Sequence, residues 1–136
     1  RHAVVFKKTE LEIVVDRLAN RAPRGAYLIH LSLADVVSQV VAENAYLDAY
    51  RVWQDVLRIV ASLFASTGSF CELDSHRLLL LLHGSLEDNL DLIVHHIGVT
   101  IAKLLAELSD VPVVRFESRS YPADGSDLME LAHSLM

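Results

Sequence analysis

The sequence predicts an α+β domain with a ferredoxin-like strand–helix–strand–strand–helix–strand core, an antiparallel sheet flanked by helices. Three observations carry this expectation. Phe70–Gly84 reads as a β-hairpin: a short strand, a polar turn at Asp74-Ser75-His76, then the five leucines Leu78–Leu82 closed by His83-Gly84. An uninterrupted apolar run bounded by turn signals suits a strand buried on both faces. The hairpin sits between two long segments of helical period, and a further strand lies outside each of them. The full order is α-β-α-α-β-β-α-β-α, whose centre is the split β-α-β-β-α-β arrangement.

Length and composition set the bounds. The chain has 136 residues, enough for one domain with its own core, and 52% of them are hydrophobic, which excludes a disordered chain. No apolar run approaches the ~20 residues that a membrane-spanning helix needs. The net charge of −6 argues against nucleic acid as a partner. Arg21, Arg24 and Arg51 are scattered among acids and read as a solvated surface. The single Cys71 excludes an internal disulfide and fits a reducing, cytoplasmic setting; within a strand it reads as a small core residue. No signal peptide is visible, and the start at Arg1 suggests a domain excised from a longer protein. The expected organisation is a strand or linker with a lead-in helix over residues 1–25, and the main domain over 26–136, forming a single domain overall.

Each element has its own signal. Ala3-Val4-Val5-Phe6 is a short strand or an incoming linker. Thr9-Glu10-Leu11-Glu12 has the form of a capping box, followed by the helical face Leu11, Val14, Val15 and Leu18 and the breaker Pro23-Arg24-Gly25. Ala26–Leu33 alternates as a strand, with Tyr27, Ile29, Leu31 and Leu33 on one side and Leu28 on the other. Val36, Val37, Val40 and Val41 make one helical stripe, and Leu47, Tyr50, Trp53, Leu57, Val60 and Phe64 a second, with the break at Glu43-Asn44. After the hairpin, Ser85-Leu86-Glu87-Asp88 opens a helix carrying Leu90, Val94, Ile97, Ile101, Leu104, Leu105 and Leu108. Val111–Phe116 is expected to be the last strand. Tyr121-Pro122-Ala123-Asp124-Gly125 is a loop, and Ser126 caps a final helix with Leu128, Leu131 and Leu135. In this arrangement the first core strand pairs antiparallel with the leucine strand, so Ser32 and Asp35 should lie beside His76 and Arg77.

Three stretches resemble the GGDEF domains of diguanylate cyclases. Val56-Leu57-Arg58-Ile59-Val60-Ala61-Ser62-Leu63 is similar to the helix the family writes VLREVAERL. The leucine strand resembles the strand that follows the family's signature. Ser120-Tyr121-Pro122-Ala123-Asp124-Gly125, followed by Leu128-Met129-Glu130-Leu131-Ala132, is similar to SYPxDG…ELLxxAD and is the most specific match, because it ties a loop to the helix after it. The resemblance implies a palm-type fold and a cleft at the hairpin tip.

The resemblance also implies that the signature is degenerate. Asp74, Ser75, His76, Arg77 and Leu78 stand where the family has Gly, Gly, Asp or Glu, Glu and Phe. The family's glycines let a nucleotide approach the backbone, and Asp74 and Ser75 bring side chains into that space. His76 replaces the acid that serves the metal, and Ser32 takes the position of the second metal-binding acid. Magnesium is held by hard oxygen ligands, usually carboxylates. Asp35 is a nearby carboxylate, but an acid at a helix start reads as a cap or a surface charge. The family's inhibitory Arg-x-x-Asp corresponds to Ala65 and Gly68, which argues against product binding there.

Other constellations are weaker. His95 and His96 are adjacent and point about 100° apart on a helix, so they cannot share a metal as an i, i+4 pair would. His30 and His76 could approach one another, but one Cys and no acid in register argue against zinc. No nucleophile elbow or phosphate loop is present. Trp53 and Tyr50 read as core or interface packing. The expected function is an inactive, non-enzymatic GGDEF-like module of a larger bacterial signalling protein, with no cofactor and no metal. It would contact other domains of its protein or a signalling partner, or form a homodimer, without nucleic acid or direct membrane contact. Asp35, His76 and Arg77 are the candidate residual contacts. The alternatives are a ligand- or nucleotide-sensing ferredoxin-like module and an active nucleotidyl cyclase with an altered metal site.

Overall fold

A computed structural model of the chain describes residues 5–21, 25–44, 46–64, 68–83, 90–103 and 113–136. The elements run β1 (Val5–Lys7), a short 3-10 turn (Lys8–Glu10), α1 (Leu11–Arg21), β2 (Ala26–Ser32), α2 (Ala34–Glu43) and α3 (Ala49–Leu63). They continue with β3 (Gly68–Glu72), β4 (Arg77–His83), α4 (Leu90–Ile101), β5 (Arg115–Tyr121) and α5 (Leu128–Leu135). The strands form one sheet in the order β1-β3-β4-β2-β5. Neighbours from β3 to β5 are all antiparallel, which is the split core the sequence predicts. β1 adds parallel to β3, so the sheet as a whole is mixed rather than purely antiparallel.

The leucine strand explains this architecture. β4 lies at the centre of the sheet and its side chains alternate between two cores. Leu78, Leu80 and Leu82 pack with Ile29, Leu31 and Phe70 under α2, α3 and α4. Leu79 and Leu81 pack with Leu28 and Cys71 under α1 and α5. The alternation within Ala26–Leu33 is as expected, with Ile29, Leu31 and Leu33 in the first core and Leu28 in the second. Cys71 is fully buried, and burial pushes its thiol up to about 11. α1 shares its core with α5, so the lead-in helix is built into the same layered unit as the rest.

Four expectations are corrected. The last strand is Arg115–Tyr121, not Val111–Phe116. It lies at an edge, with β2 as its one neighbour among the described residues, so it needs only a partly apolar pattern. Phe116 packs against the first core and Tyr121 against the second, while Val113 is exposed. At the N-terminus, Glu10 rather than Glu12 reaches back, its Oε1 accepting from the Lys7 amide at 3.0 Å. The final helix is capped by Asp127, not Ser126: its Oδ1 accepts from the Met129 and Glu130 amides at 3.0 and 3.2 Å, and its charge suits the positive end of the helix. Tyr50 is 75% exposed, because Val52, Trp53 and Val56 occupy the inward stripe of α3. The expected helix start at residues 85–88 and the stripe continuation at Leu104, Leu105 and Leu108 lie outside the described residues.

Candidate functional site at the hairpin tip

The turn between β3 and β4 is closed by backbone bonds on two sides. The Leu73 amide donates to the Arg77 carbonyl at 3.0 Å, and the Leu33 amide donates to the His76 carbonyl at 2.8 Å. The second bond locks the tip onto the point where β2 passes into α2. Ser32 is the register partner of Arg77 across the β2–β4 ladder, so the predicted neighbours do meet.

Asp74 organises the turn. Its Oδ1 accepts from the His76 amide at 3.0 Å and its Oδ2 accepts from Arg77 Nε at 2.6 Å. Burial pushes the Asp74 carboxyl up, but the Arg77 and His76 bonds together outweigh it and hold the group below its ordinary value. Arg77 also donates through its guanidinium to the Met136 carbonyl at 3.2 Å, tying the tip to the end of α5. Leu78 is buried in the first core. The Ser75 and His76 side chains are exposed at the tip.

Asp35 takes a different role. Its Oδ2 receives Arg115 Nε at 3.2 Å, an exposed ion pair between the start of α2 and β5. The structure therefore brings together Ser32, His76 and Arg77, and directs Asp35 toward β5. Among the described residues, no group of three or more His, Cys, Asp or Glu side chains converges in a way that could hold a metal ion.

A cavity of about 310 Å³ opens beside the tip between α2 and α3, lined by Ala34, Val37, Tyr50, Trp53, Ser75 and His76 among others. Trp53 lines it, and its indole Nε1 donates to Glu72 Oε2 at 2.7 Å. Glu72 also receives Lys7 Nζ at 2.7 Å through its other oxygen. Burial pushes Glu72 up, and the Lys7 and Trp53 bonds outweigh it and hold its pKa below the ordinary value. Sequence reasoning missed this Lys7–Glu72–Trp53 chain. The available signal was that a buried indole N–H needs an acceptor.

His30 lies between Leu79 and Glu117 in the ladders of β2, and its Nε2 is buried with no hydrogen-bond partner among the described residues. Burial, followed by the nearby Arg77 charge, lowers its pKa. His95 and His96 are exposed on α4. Of the two positions that the resemblance would align with an inhibitory pair, Ala65 lies outside the described residues. Gly68 pairs with Leu82, and a Cβ on it would collide with the Leu81 carbonyl oxygen, so that position has no room for a side chain.

No family model matches the sequence, and no curated protein matches it. Among solved structures the chain is similar to the GGDEF domain of FimX from Pseudomonas aeruginosa, with a TM-score of 0.70 at 9% identity over 96% of this chain and 84% of that one. It is similar to a DGC protein from Thermotoga maritima, with a TM-score of 0.57 at 18% identity, over 98% of this chain and 94% of that one. A third similar structure is the isolated GGDEF domain of TpbB, also called YfiN, from Pseudomonas aeruginosa, with a TM-score of 0.58 at 12% identity over 96% and 80% of the two chains. At these identities the likeness is one of fold, and in fold this chain is a GGDEF-like domain.

Proposed function

We propose that this domain is a catalytically silent GGDEF-like module of cyclic di-GMP signalling, acting through its surfaces within a larger bacterial cytoplasmic protein. It would dock a neighbouring domain, a signalling partner or a second copy. The observation that supports this best is the occupation of the hairpin tip. The carboxylate there, Asp74, is committed to the His76 amide and Arg77, and Asp35 is paired with Arg115. The two remaining side chains at the positions of the metal acids are the Ser32 hydroxyl and the His76 imidazole. That donor set does not fit magnesium, which takes carboxylate and phosphate oxygens. The Ser75 side chain lines the cavity where the resemblance calls for bare backbone.

The test is incubation of the domain with GTP and magnesium or manganese, followed by chromatography. No cyclic di-GMP is expected, and protein-dependent product would overturn the reading in favour of an active cyclase. Ser32→Asp combined with His76→Glu is also expected to stay inactive, because Asp74 and Ser75 still fill the nucleotide's approach.

One observation favours a second reading, a ligand sensor. The cavity beside Trp53 falls at the lower end of the ~300–1,000 Å³ range of small-molecule sites. A sensor of nucleotides would gain melting temperature with millimolar GTP or cyclic di-GMP and lose the shift on Arg77→Ala, whereas the silent module is expected to show a slight shift at most with GTP and none with cyclic di-GMP. Submicromolar affinity for either by calorimetry would make the domain a nucleotide sensor.

A further inference from the structure

The cavity of about 310 Å³ beside the hairpin tip has walls of one chemical kind. Ala34, Val37 and Ala49 supply aliphatic surface, and Tyr50 and Trp53 supply two aromatic rings. Tyr50 and Trp53 stand three positions apart on α3, so they share one flank of that helix. The polar groups are the hydroxyls of Ser38 and Ser75 and the imidazole of His76, whose Nδ1 lies 3.4 Å from Ser75 Oγ. Among the described residues, no lysine, arginine, aspartate or glutamate lines the cavity. Arg77, the cation of the tip, is held by Asp74 Oδ2 and the Met136 carbonyl.

We infer that this cavity holds a small, uncharged aromatic heterocycle of one or two rings, carrying neither phosphate nor carboxylate. A charged group that entered would give up water and meet no ion of opposite sign on the walls, and an unpaired buried charge is costly. A flat neutral ring instead removes apolar surface from water and packs against aromatic neighbours in offset or edge-to-face geometry. The volume lies at the low end of the ~300–1,000 Å³ range of ligand sites, which suits such a ring better than a nucleoside triphosphate. Hydroxyls both donate and accept, so Ser38 and Ser75 can orient ring nitrogens of either kind.

Tyr50 supports the same assignment from outside. It is 75% exposed, whereas Val52, Trp53 and Val56 of the same helix are buried. An aromatic side chain left in water at an apolar cavity gains burial when that cavity fills. Trp53 supplies the link to the sheet. Its indole N–H donates to Glu72 of β3, which also receives Lys7 of β1, so a ring packed on the indole bears on the group that joins α3 to two strands.

The inference rests on the ligand-sensing reading and names its ligand class. Trp53 is the single tryptophan of the chain, so one indole N–H resonance in a proton–nitrogen spectrum reports the cavity. Indole, added to the intact chain, is expected to shift that resonance and to bind saturably with a Kd below about 1 mM by calorimetry. Its anionic relative indole-3-acetate, and GTP, should bind at least about tenfold more weakly. Tyr50→Ala should weaken indole binding about fivefold. Ser38→Phe, which puts bulk at the cavity, should abolish it. Both positions are exposed, so both variants should keep the parent's melting temperature. Indole-3-acetate binding as tightly as indole, or full indole affinity in both variants, would overturn the inference. GTP binding more tightly than indole would overturn this ligand class and leave the sensor reading standing. Failure of both indole and GTP to bind would remove the two together.

Discussion

The two ends of one hairpin follow different rules. Leu79–Leu82 are fully buried, sealed between two helical layers. A few residues away, Ser75 and His76 lie exposed, and the turn is held by two backbone bonds and the Asp74 carboxylate. The strand takes its stability from two-sided burial, which is non-directional and scales with apolar area. The tip takes its shape from hydrogen bonds, which contribute modestly each and can be rearranged. A fold built this way can change the chemistry of the tip almost freely, provided the leucines stay.

The largest expected break in this contrast is Leu80→Asp. Leu80 is wholly enclosed by the α2, α3 and α4 core, and an unpaired buried charge costs at least several kcal/mol, a large fraction of a domain's total stability. Circular dichroism is expected to show no cooperative melt. A soluble variant that melts cooperatively would mean that burial of β4 is not what holds the sheet.

A smaller effect should come from acid. The folded pKa of His30 lies below its ordinary 6.5, because burial and then Arg77 disfavour the imidazolium. The unfolded chain therefore binds the proton first, so stability is complete above about pH 6.5 and falls as the pH drops toward the folded value. Glu72 and Asp74 are also held below their ordinary values of 4.5 and 3.8, and their contributions disappear at lower pH, as each is protonated. Melting temperature followed from neutral into acid should thus decline in two stages. His30→Gln should flatten the first stage and leave the second. A variant retaining both stages would show that His30 is not the group responsible.

His76→Ala should matter least. The contacts that hold the turn use the His76 backbone, whose amide donates to Asp74 and whose carbonyl accepts from Leu33. Its exposed imidazole can be removed within about 0.5 kcal/mol. Urea unfolding would measure this, and a loss comparable to that of a core substitution would erase the contrast between tip and strand.

Much of the fold was legible because burial leaves a periodic trace. The five leucines announce a strand covered on both faces, and the alternation in Ala26–Leu33 puts Ile29 and Leu28 on opposite sides, which the structure fills with two separate cores. The meeting of Ser32 with Arg77 followed from topology alone, since an antiparallel neighbour brings the end of one strand to the start of the other. The polar edge strand was harder. Arg115–Tyr121 has no continuous apolar signal, whereas the preceding Val111–Val114 does, so pattern alone places the strand too early. Caps shifted by a residue for a similar reason: Ser126 and Asp127 can both cap, and only the helix start at Leu128 selects between them.

By itself, then, the sequence determined the order of elements, the two-sided core and the identity of the groups at the hairpin tip, because these depend on local period and composition. Tertiary structure alone decided how those groups are spent. Asp74 turns to Arg77, Asp35 reaches across to Arg115, and Glu72 joins Lys7 to the buried Trp53 indole. Those pairings span up to 80 positions along the chain. No local pattern encodes such a partner, because the electrostatic choice among several acids and bases is made only when packing has brought them within reach.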